Sequence, residues 1–98
     1  MNYYILVHKK PLRVYNNKEL RHWLQSANRE VERTELPNGI IVVTEFLGQA
    51  ECIDENKSPL LFETMIRGGI NDGMIQQYAT WEDAKEGHKK TAELVSTE

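Results

Sequence analysis

The tripeptide Pro37-Asn38-Gly39 is the feature that most limits how this chain folds, because it separates two runs of strand-forming residues. Asn and Gly tolerate the positive φ angles of a type I′ turn, so the flanking segments are predicted to pair as an antiparallel hairpin. Residues 31–36, before the turn, are polar enough for a sheet edge. Residues 40–47, after it, are almost continuously apolar and are predicted to lie inside the sheet.

Three further strands and two helices are predicted around this hairpin. Residues 3–7 read as a first strand, which Lys10-Pro11 is expected to end because proline has no N–H for a sheet ladder. Residues 59–66 and 74–79 are two more strands, joined by a glycine-rich loop. Asn16 or Asn17 and Thr80 are residue types that cap helix N-termini. The apolar faces of the two helices are Leu20, Trp23, Leu24 and Ala27, and Trp81, Ala84, His88, Ala92 and Val95.

The resulting order, β-α-β-β-β-β-α, predicts an α+β fold. The short connections favour a four- to five-stranded, mainly antiparallel sheet with the two amphipathic helices on one face. A chain of 98 residues suits one core, so residues 1–98 are expected to form a single domain. The place of the first strand in the sheet is left open by the sequence.

Charge is unevenly distributed along the chain. Residues 1–29 carry six Lys and Arg against Glu19 alone, a formal charge of +5, whereas the whole chain carries −3. A basic segment suits an acidic or phosphorylated partner, although solvated surface charge explains it more simply. We do not expect nucleic acid as the partner, because the cations are not interleaved with exposed aromatic residues.

The sequence supports neither a metal site nor a cofactor. Cys52 is the only cysteine, and no two histidines have a metal-ligand spacing. No segment is long and apolar enough to span a bilayer, and the N-terminus lacks the pattern of a signal peptide. We therefore expect a protein of the cytoplasm.

Arg67-Gly68-Gly69 is the most suggestive loop for ligand binding. Consecutive glycines let backbone N–H groups converge on an anion, and Arg67 would add a bidentate contact to phosphate. Neither spacing of a phosphate-binding loop is present, so a simple glycine-rich turn is the competing interpretation.

Glu63 and His88 are the other candidate site residues. Glu63 interrupts an apolar strand; either it faces inward with a perturbed pKa, or strand alternation turns it to solvent while residues 60, 62, 64 and 66 face the core. His88 lies on the apolar face of the last helix, where a packed histidine is more common than a ligand. No catalytic residue can be assigned, because no nucleophile or acid–base pair is recognisable.

Three segments carry a resemblance that extends over most of the chain. They are Val-Val-Thr-Glu-Phe-Leu-Gly at 42–48, Pro-Leu-Leu-Phe-Glu-Thr-Met-Ile-Arg-Gly-Gly at 59–69, and Tyr-Ala-Thr-Trp-Glu-Asp-Ala at 78–84, which is followed by Gly87-His88. Together they resemble a family of small uncharacterised proteins encoded by bacteriophages and by bacterial genomes. The resemblance implies a phage or prophage origin and gives no activity.

Two departures from that family pattern limit what carries over. Phe-Leu-Gly is followed here by Gln49-Ala50-Glu51, where family members often have Leu-Asp-His, and Arg67 stands where they often have Phe. Any chemistry that the Asp-His pair performs in relatives is therefore missing from this chain.

The leading functional hypothesis is a non-enzymatic accessory protein that binds a host bacterial protein, such as a defence component. The alternative is a binder of a small phosphorylated ligand such as a nucleotide messenger, using Arg67, Gly68 and Gly69 with basic residues of the first third. A homodimer formed through the predicted edge at residues 30–36 is a further expectation.

Overall fold

The computed structural model describes residues 2–98 and has an α+β architecture, as predicted. Strands β3 to β6 form a four-stranded antiparallel sheet in the order β3-β4-β5-β6, and β1 pairs with β2 in a separate two-stranded sheet. An isolated antiparallel bridge also joins Tyr3 of β1 to Gln49. The elements are β1 (Tyr3–Val7), β2 (Lys10–Val14), α1 (Asn17–Leu24), β3 (Glu30–Glu35), β4 (Ile41–Phe46), β5 (Phe62–Arg67), β6 (Ile75–Tyr78) and α2 (Trp81–Val95).

The central hairpin forms as predicted, but its turn is of another type. Gly39 has a φ of 88°, whereas Asn38 does not have a positive φ. The Leu36 amide donates to the Ile40 carbonyl at 2.9 Å, which leaves a three-residue loop. A three-residue loop needs only one left-handed residue, and glycine is the residue that adopts this conformation at least cost.

Strand β2 is absent from the sequence-based prediction. Pro11 lies within it, opposite Leu6, so the expectation that strand formation stops at Lys10-Pro11 is wrong. The chain turns at His8 and Lys9, which have φ values of 51° and 69°. Proline is tolerated in β2 because the outer side of this strand has no neighbouring strand that would need its N–H.

Both helices begin at the predicted capping residues. The Asn16 side chain accepts from the Glu19 amide at 2.8 Å, and the Thr80 hydroxyl accepts from the Asp83 amide at 3.1 Å. Helix α2 packs across the sheet, while α1 lies against β1 and β2 and reaches the same sheet face through Trp23. The Trp23 ring meets Phe46 edge-on, with 5.6 Å between centroids.

A polar layer divides the core under α2 into two apolar clusters. Each row of the sheet is a cross-strand pair of β4 and β5: Val42 with Ile66, Thr44 with Thr64, and Phe46 with Phe62. One apolar cluster contains Phe46, Leu61, Phe62, Tyr78 and Ala84, and the other contains Ile40, Val42, Ile66 and Val95. His88 of α2 lies over the middle row and bonds to Thr44, which in turn bonds to Thr64.

The opposite face of the sheet carries no helix in the part of the chain that the structure describes. We call it the open face; Val43, Met65 and Ile75 form one cross-strand row on it, and Glu45, Glu63 and Gln77 form the next. No helix among residues 2–98 has the length and hydropathy to cross a bilayer.

Candidate functional site

His88 is fully buried and is the centre of a hydrogen-bonded network beneath α2. Its Nδ1 lies 2.7 Å from the Thr44 hydroxyl, which is 2.5 Å from the hydroxyl of Thr64. Its Nε2 lies 2.8 Å from the Thr34 hydroxyl and 3.5 Å from Oε2 of Glu32. Both ring nitrogens therefore have partners, which buried polar groups need if they are not to destabilise the fold.

The network accommodates a neutral imidazole, because each threonine hydroxyl can either donate or accept a hydrogen bond. Whichever ring nitrogen carries the proton donates to its neighbouring hydroxyl, and the other nitrogen accepts from the hydroxyl on its side. The network is therefore consistent with an uncharged histidine.

The electrostatics agree with a neutral His88. Burial lowers the pKa of the imidazole below its usual 6.5, and the Lys85 ammonium lowers it further, although the Glu32 carboxylate acts in the opposite direction. Lys85 also binds the Glu32 carboxylate directly. That hydrogen bond is the main reason why the pKa of Glu32 lies below 4.5.

The network resembles a catalytic triad, with a carboxylate, an imidazole and a hydroxyl in Glu32, His88 and Thr44. The hydroxyl, however, is not accessible to a substrate. Thr44 has no exposed surface, and its oxygen is already shared between His88 and Thr64. A nucleophile must come within contact distance of the reacting atom. The geometry therefore suits a structural network that sets how α2 lies on the sheet.

Glu63 lies on the open face, on the opposite side of the sheet from His88. Its strand alternates as the simpler interpretation predicts, with Phe62, Thr64 and Ile66 buried. The Gln77 amide is 3.5 Å from Oε1 of Glu63. Both residues border a shallow depression of about 280 Å³, whose lining is Leu47, Gln49, Glu51, Glu63 and Gln77.

Gly68 and Gly69 both have positive φ values, 94° and 74°, a conformation that glycine adopts at least cost. Two amide donors of this loop are already occupied. The Gly68 amide binds the Asp72 carboxylate at 2.7 Å, and the Ile70 amide binds Oε1 of Glu98 at 2.8 Å. An external phosphate would have to displace carboxylates that belong to the chain itself.

The structure does not bring the predicted site residues together. Glu63 and the exposed Arg67 are on β5, with side chains on the open face, whereas His88 is buried against the other face. Gly68 and Gly69 follow Arg67 at the end of the sheet near the β3–β4 turn. Glu63, Arg67 and His88 therefore share no cavity.

The outer edge of β6 is a feature that the sequence analysis missed. Within residues 2–98, β6 has a neighbouring strand only on its β5 side. The Ile66 amide donates to the Met74 carbonyl at 3.0 Å. Since antiparallel residues alternate in the direction of their backbone groups, Gln76 also faces β5, and Ile75 and Gln77 direct their amides and carbonyls outward.

Exposed apolar residues accompany this edge. Met74, Ile75 and Leu94 are 57%, 52% and 69% exposed, although all three are large and apolar. They border a pocket of about 110 Å³ between α2 and β6, with Thr64, Ile66, Gln76 and Thr91 as its other lining residues. The sequence contained one signal for this edge, the lack of any charge in residues 73–79.

No group of three or more metal-ligating side chains is assembled in the part of the chain that the structure describes. Comparisons with protein-family models, with curated proteins and with solved structures found no match.

Proposed function

We propose that this chain is a non-enzymatic accessory protein of phage or prophage type, which acts inside the bacterial cell by binding a host protein such as a defence component. The phage and host assignments come from the sequence resemblance. The outer edge of β6 is the observation that carries the binding function. Its occupant is an extended segment of the partner protein, which adds as a fifth strand.

The two edges of the main sheet differ in how they are protected. Edge β3 has four charged residues among six, and its pairing is irregular between Glu30 and Glu32. Charges and bulges are features by which proteins prevent unwanted strand pairing. Edge β6, with the sequence Ile-Gln-Gln-Tyr, has neither. The homodimer expected through residues 30–36 thus gains no support, because the accessible edge lies on the other side.

Strand addition at β6 supplies both affinity and specificity. The outward backbone groups of Ile75 and Gln77 provide the hydrogen bonds of a new ladder, which any extended chain can form. The neighbouring pocket selects the side chain. A cavity of about 150 Å³ holds benzene, so about 110 Å³ suits one aliphatic side chain of the added strand.

The alternative, a binder of small phosphorylated ligands, has less support. Its loop amides are bound to Asp72 and Glu98. Moreover, Arg67 lies at the end of β5 opposite Ile41, whereas α1 touches β4 at Phe46, the other end of that strand. The basic first third and the glycine loop are therefore not neighbours.

The test compares variants at the two edges. Tagged wild-type protein would be incubated with lysate of a candidate host, and bound proteins would be quantified by mass spectrometry. Gln77→Pro removes one outward N–H of β6, and Arg33→Pro removes the equivalent outward N–H of β3 as a matched control. Proline is tolerated where the N–H faces outward, and melting curves verify that each variant is folded.

We expect a discrete partner that wild type and Arg33→Pro retain and Gln77→Pro loses. Ile75→Lys, which adds a charge beside the edge without touching the backbone, should also lose it. A partner retained by both β6 variants would contradict the proposal. So would a wild-type dimer that Gln77→Pro dissociates, because a second copy would then occupy the edge.

A further inference from the structure

A second surface, around α1, has a different character from the β6 edge. Three ion pairs between Lys or Arg and a carboxylate are formed among residues 2–98, and all of them lie within residues 30–98. The six cations of the first 29 residues form none. Glu19, the one carboxylate in that segment, has its Oε2 bonded to the Tyr15 amide at 3.3 Å. This part of the molecule therefore has uncompensated positive charge.

Two of these six cations, Lys18 and Arg21, border depressions beside α1, the larger of which is a groove with an apolar floor. The groove has a volume of about 610 Å³, and Ile5 of β1 and Trp23 of α1 supply its apolar lining. Lys18 and His22 belong both to this groove and to a neighbouring depression that includes Arg21. We call the two depressions together the α1 groove; their lining residues are Ile5, Asn16, Lys18, Glu19, Arg21, His22, Trp23, Gln25 and Ser26.

We infer that the α1 groove docks an acidic peptide segment of a partner protein, with an apolar anchor residue against Ile5 and Trp23 and carboxylates against Lys18 and Arg21. Complementary charge around an apolar centre is the usual arrangement of a protein interface. None of the groove residues belongs to β6, so this inference stands independently of the proposed function.

The geometry favours a peptide over nucleic acid. Single-stranded nucleic acid needs aromatic faces on which bases stack. Trp23 is half-buried, packs edge-on against Phe46 and is the one aromatic residue among residues 2–98 that lines the groove, so it offers a floor for a single anchor side chain and no series of faces for successive bases. Arg13 lies over one face of the Tyr15 ring, with 5.1 Å between the guanidinium carbon and the ring centroid.

The test uses synthetic fluorescein-labelled peptides and fluorescence anisotropy with the full chain. The probe is an acidic peptide in which glutamates alternate with leucines around one central phenylalanine. A second peptide of equal charge has glycine in place of every apolar residue, and the third probe is an oligothymidylate of similar charge. Titrations at about 0.05 M and about 0.3 M salt separate screened from buried contacts.

We expect the first peptide to bind more tightly than the glycine peptide and the oligothymidylate. Lys18→Glu combined with Arg21→Glu should weaken it by about tenfold or more. The matched control, Lys57→Glu combined with Lys89→Glu, makes the same change of net charge elsewhere and should leave the affinity within about twofold. All these positions are exposed, so the variants are expected to fold.

Three results would overturn the inference. The first is an equal loss of affinity in the control variant, which would show that binding depends on the net charge of the protein and not on the α1 groove. The second is tighter binding of the oligothymidylate, which would assign the surface to nucleic acid. The third is no saturable binding of the first peptide at the lower salt concentration.

Discussion

At the scale of single residues, His88 is a buried polar side chain that aligns α2 with the rows of the sheet. Consecutive α2 residues of its column, Ala84, His88 and Ala92, are separated by four residues, or about 6 Å of helix rise. Successive core rows of the sheet are separated by two residues, or about 6.6 Å. One helical turn therefore matches one row, and the bonded network around His88 helps to distinguish the correct row from its neighbours.

The pH dependence of stability should follow from His88 and Glu32. The folded-state pKa of His88 lies below 6.5, so an unfolded chain takes up a proton at a higher pH than the folded one. As far as His88 is concerned, the free energy of unfolding is therefore at its maximum above pH 6.5 and decreases as the pH falls below that value. The lowered pKa of Glu32 adds a second loss of the same sign below 4.5.

Urea denaturation between pH 4 and 8 would measure the pH dependence of the free energy of unfolding, for the wild type and for His88→Gln. The variant should be less stable at neutral pH by about 2 kcal/mol, because buried hydroxyls lose a partner. It should also lack the decrease that begins below pH 6.5. An unchanged slope in that pH range would show that His88 does not carry it.

Gly87 tests the close approach of α2 to β6. A Cβ at this position would collide with the ring of Tyr78, whose hydroxyl has no hydrogen-bond partner within residues 2–98. Gly87→Ala should therefore lower the free energy of unfolding by about 2 kcal/mol, although alanine is the better helix former by about 1 kcal/mol. Thermal denaturation measures the difference.

The control for this substitution removes the ring. In a Tyr78→Leu background, Gly87→Ala should cost less than in the wild type, because residues in contact are energetically coupled. Equal costs in the two backgrounds would mean that the Tyr78 ring is not what excludes a side chain at position 87.

At the scale of elements, local signals predicted most of the fold. The Asn16 and Thr80 caps, the Asn38-Gly39 hairpin and the alternation around Glu63 are all read from a few neighbouring residues, and all are confirmed. Strand β2 was missed because it contains a proline and follows two turn residues with unfavourable φ, features that locally disfavour a hairpin. Pairing with β1 offsets this cost, and that pairing depends on the fold as a whole.

The candidate site was less predictable for the same reason. The sequence singled out Glu63, Arg67 and His88 as chemical types, but only the register of β5 shows that the first two lie on the face opposite the third. Which strand ends the sheet is likewise a property of strand order. The β6 edge therefore becomes recognisable only in three dimensions.

The β1–β2 turn offers a test of local strain. His8 has a φ of 51° without being glycine, a conformation that costs about 1 kcal/mol or more for most residues. His8→Gly should raise the free energy of unfolding by about 0.5 kcal/mol, after allowance for the greater freedom of glycine in the unfolded chain.

Lys10→Gly is the matched control for this variant, since Lys10 is exposed and lies within β2. Urea denaturation should show a lower free energy of unfolding for Lys10→Gly, because glycine within a strand is destabilising. If both substitutions were destabilising to the same degree, the positive φ at His8 would carry no strain.

At the scale of the whole molecule, the stabilising face of the sheet is separate from the two surfaces that we propose bind partners. The helix-covered side of the main sheet holds both apolar clusters and the network of His88. The β6 edge is uncharged and has exposed apolar side chains beside it, whereas the α1 groove contains Lys18 and Arg21. If both proposals hold for one partner, binding at two points would raise the effective affinity through local concentration.

The most direct measurement of the central claim is amide hydrogen exchange by NMR, with and without the partner captured through β6. The claim predicts that exchange slows at Ile75 and Gln77, whose amides are directed outward, because they donate to the added strand. The amides of Arg33 and Glu35, directed outward from β3, should exchange at unchanged rates. Unchanged exchange at Ile75 and Gln77 in a saturated complex would contradict the claim.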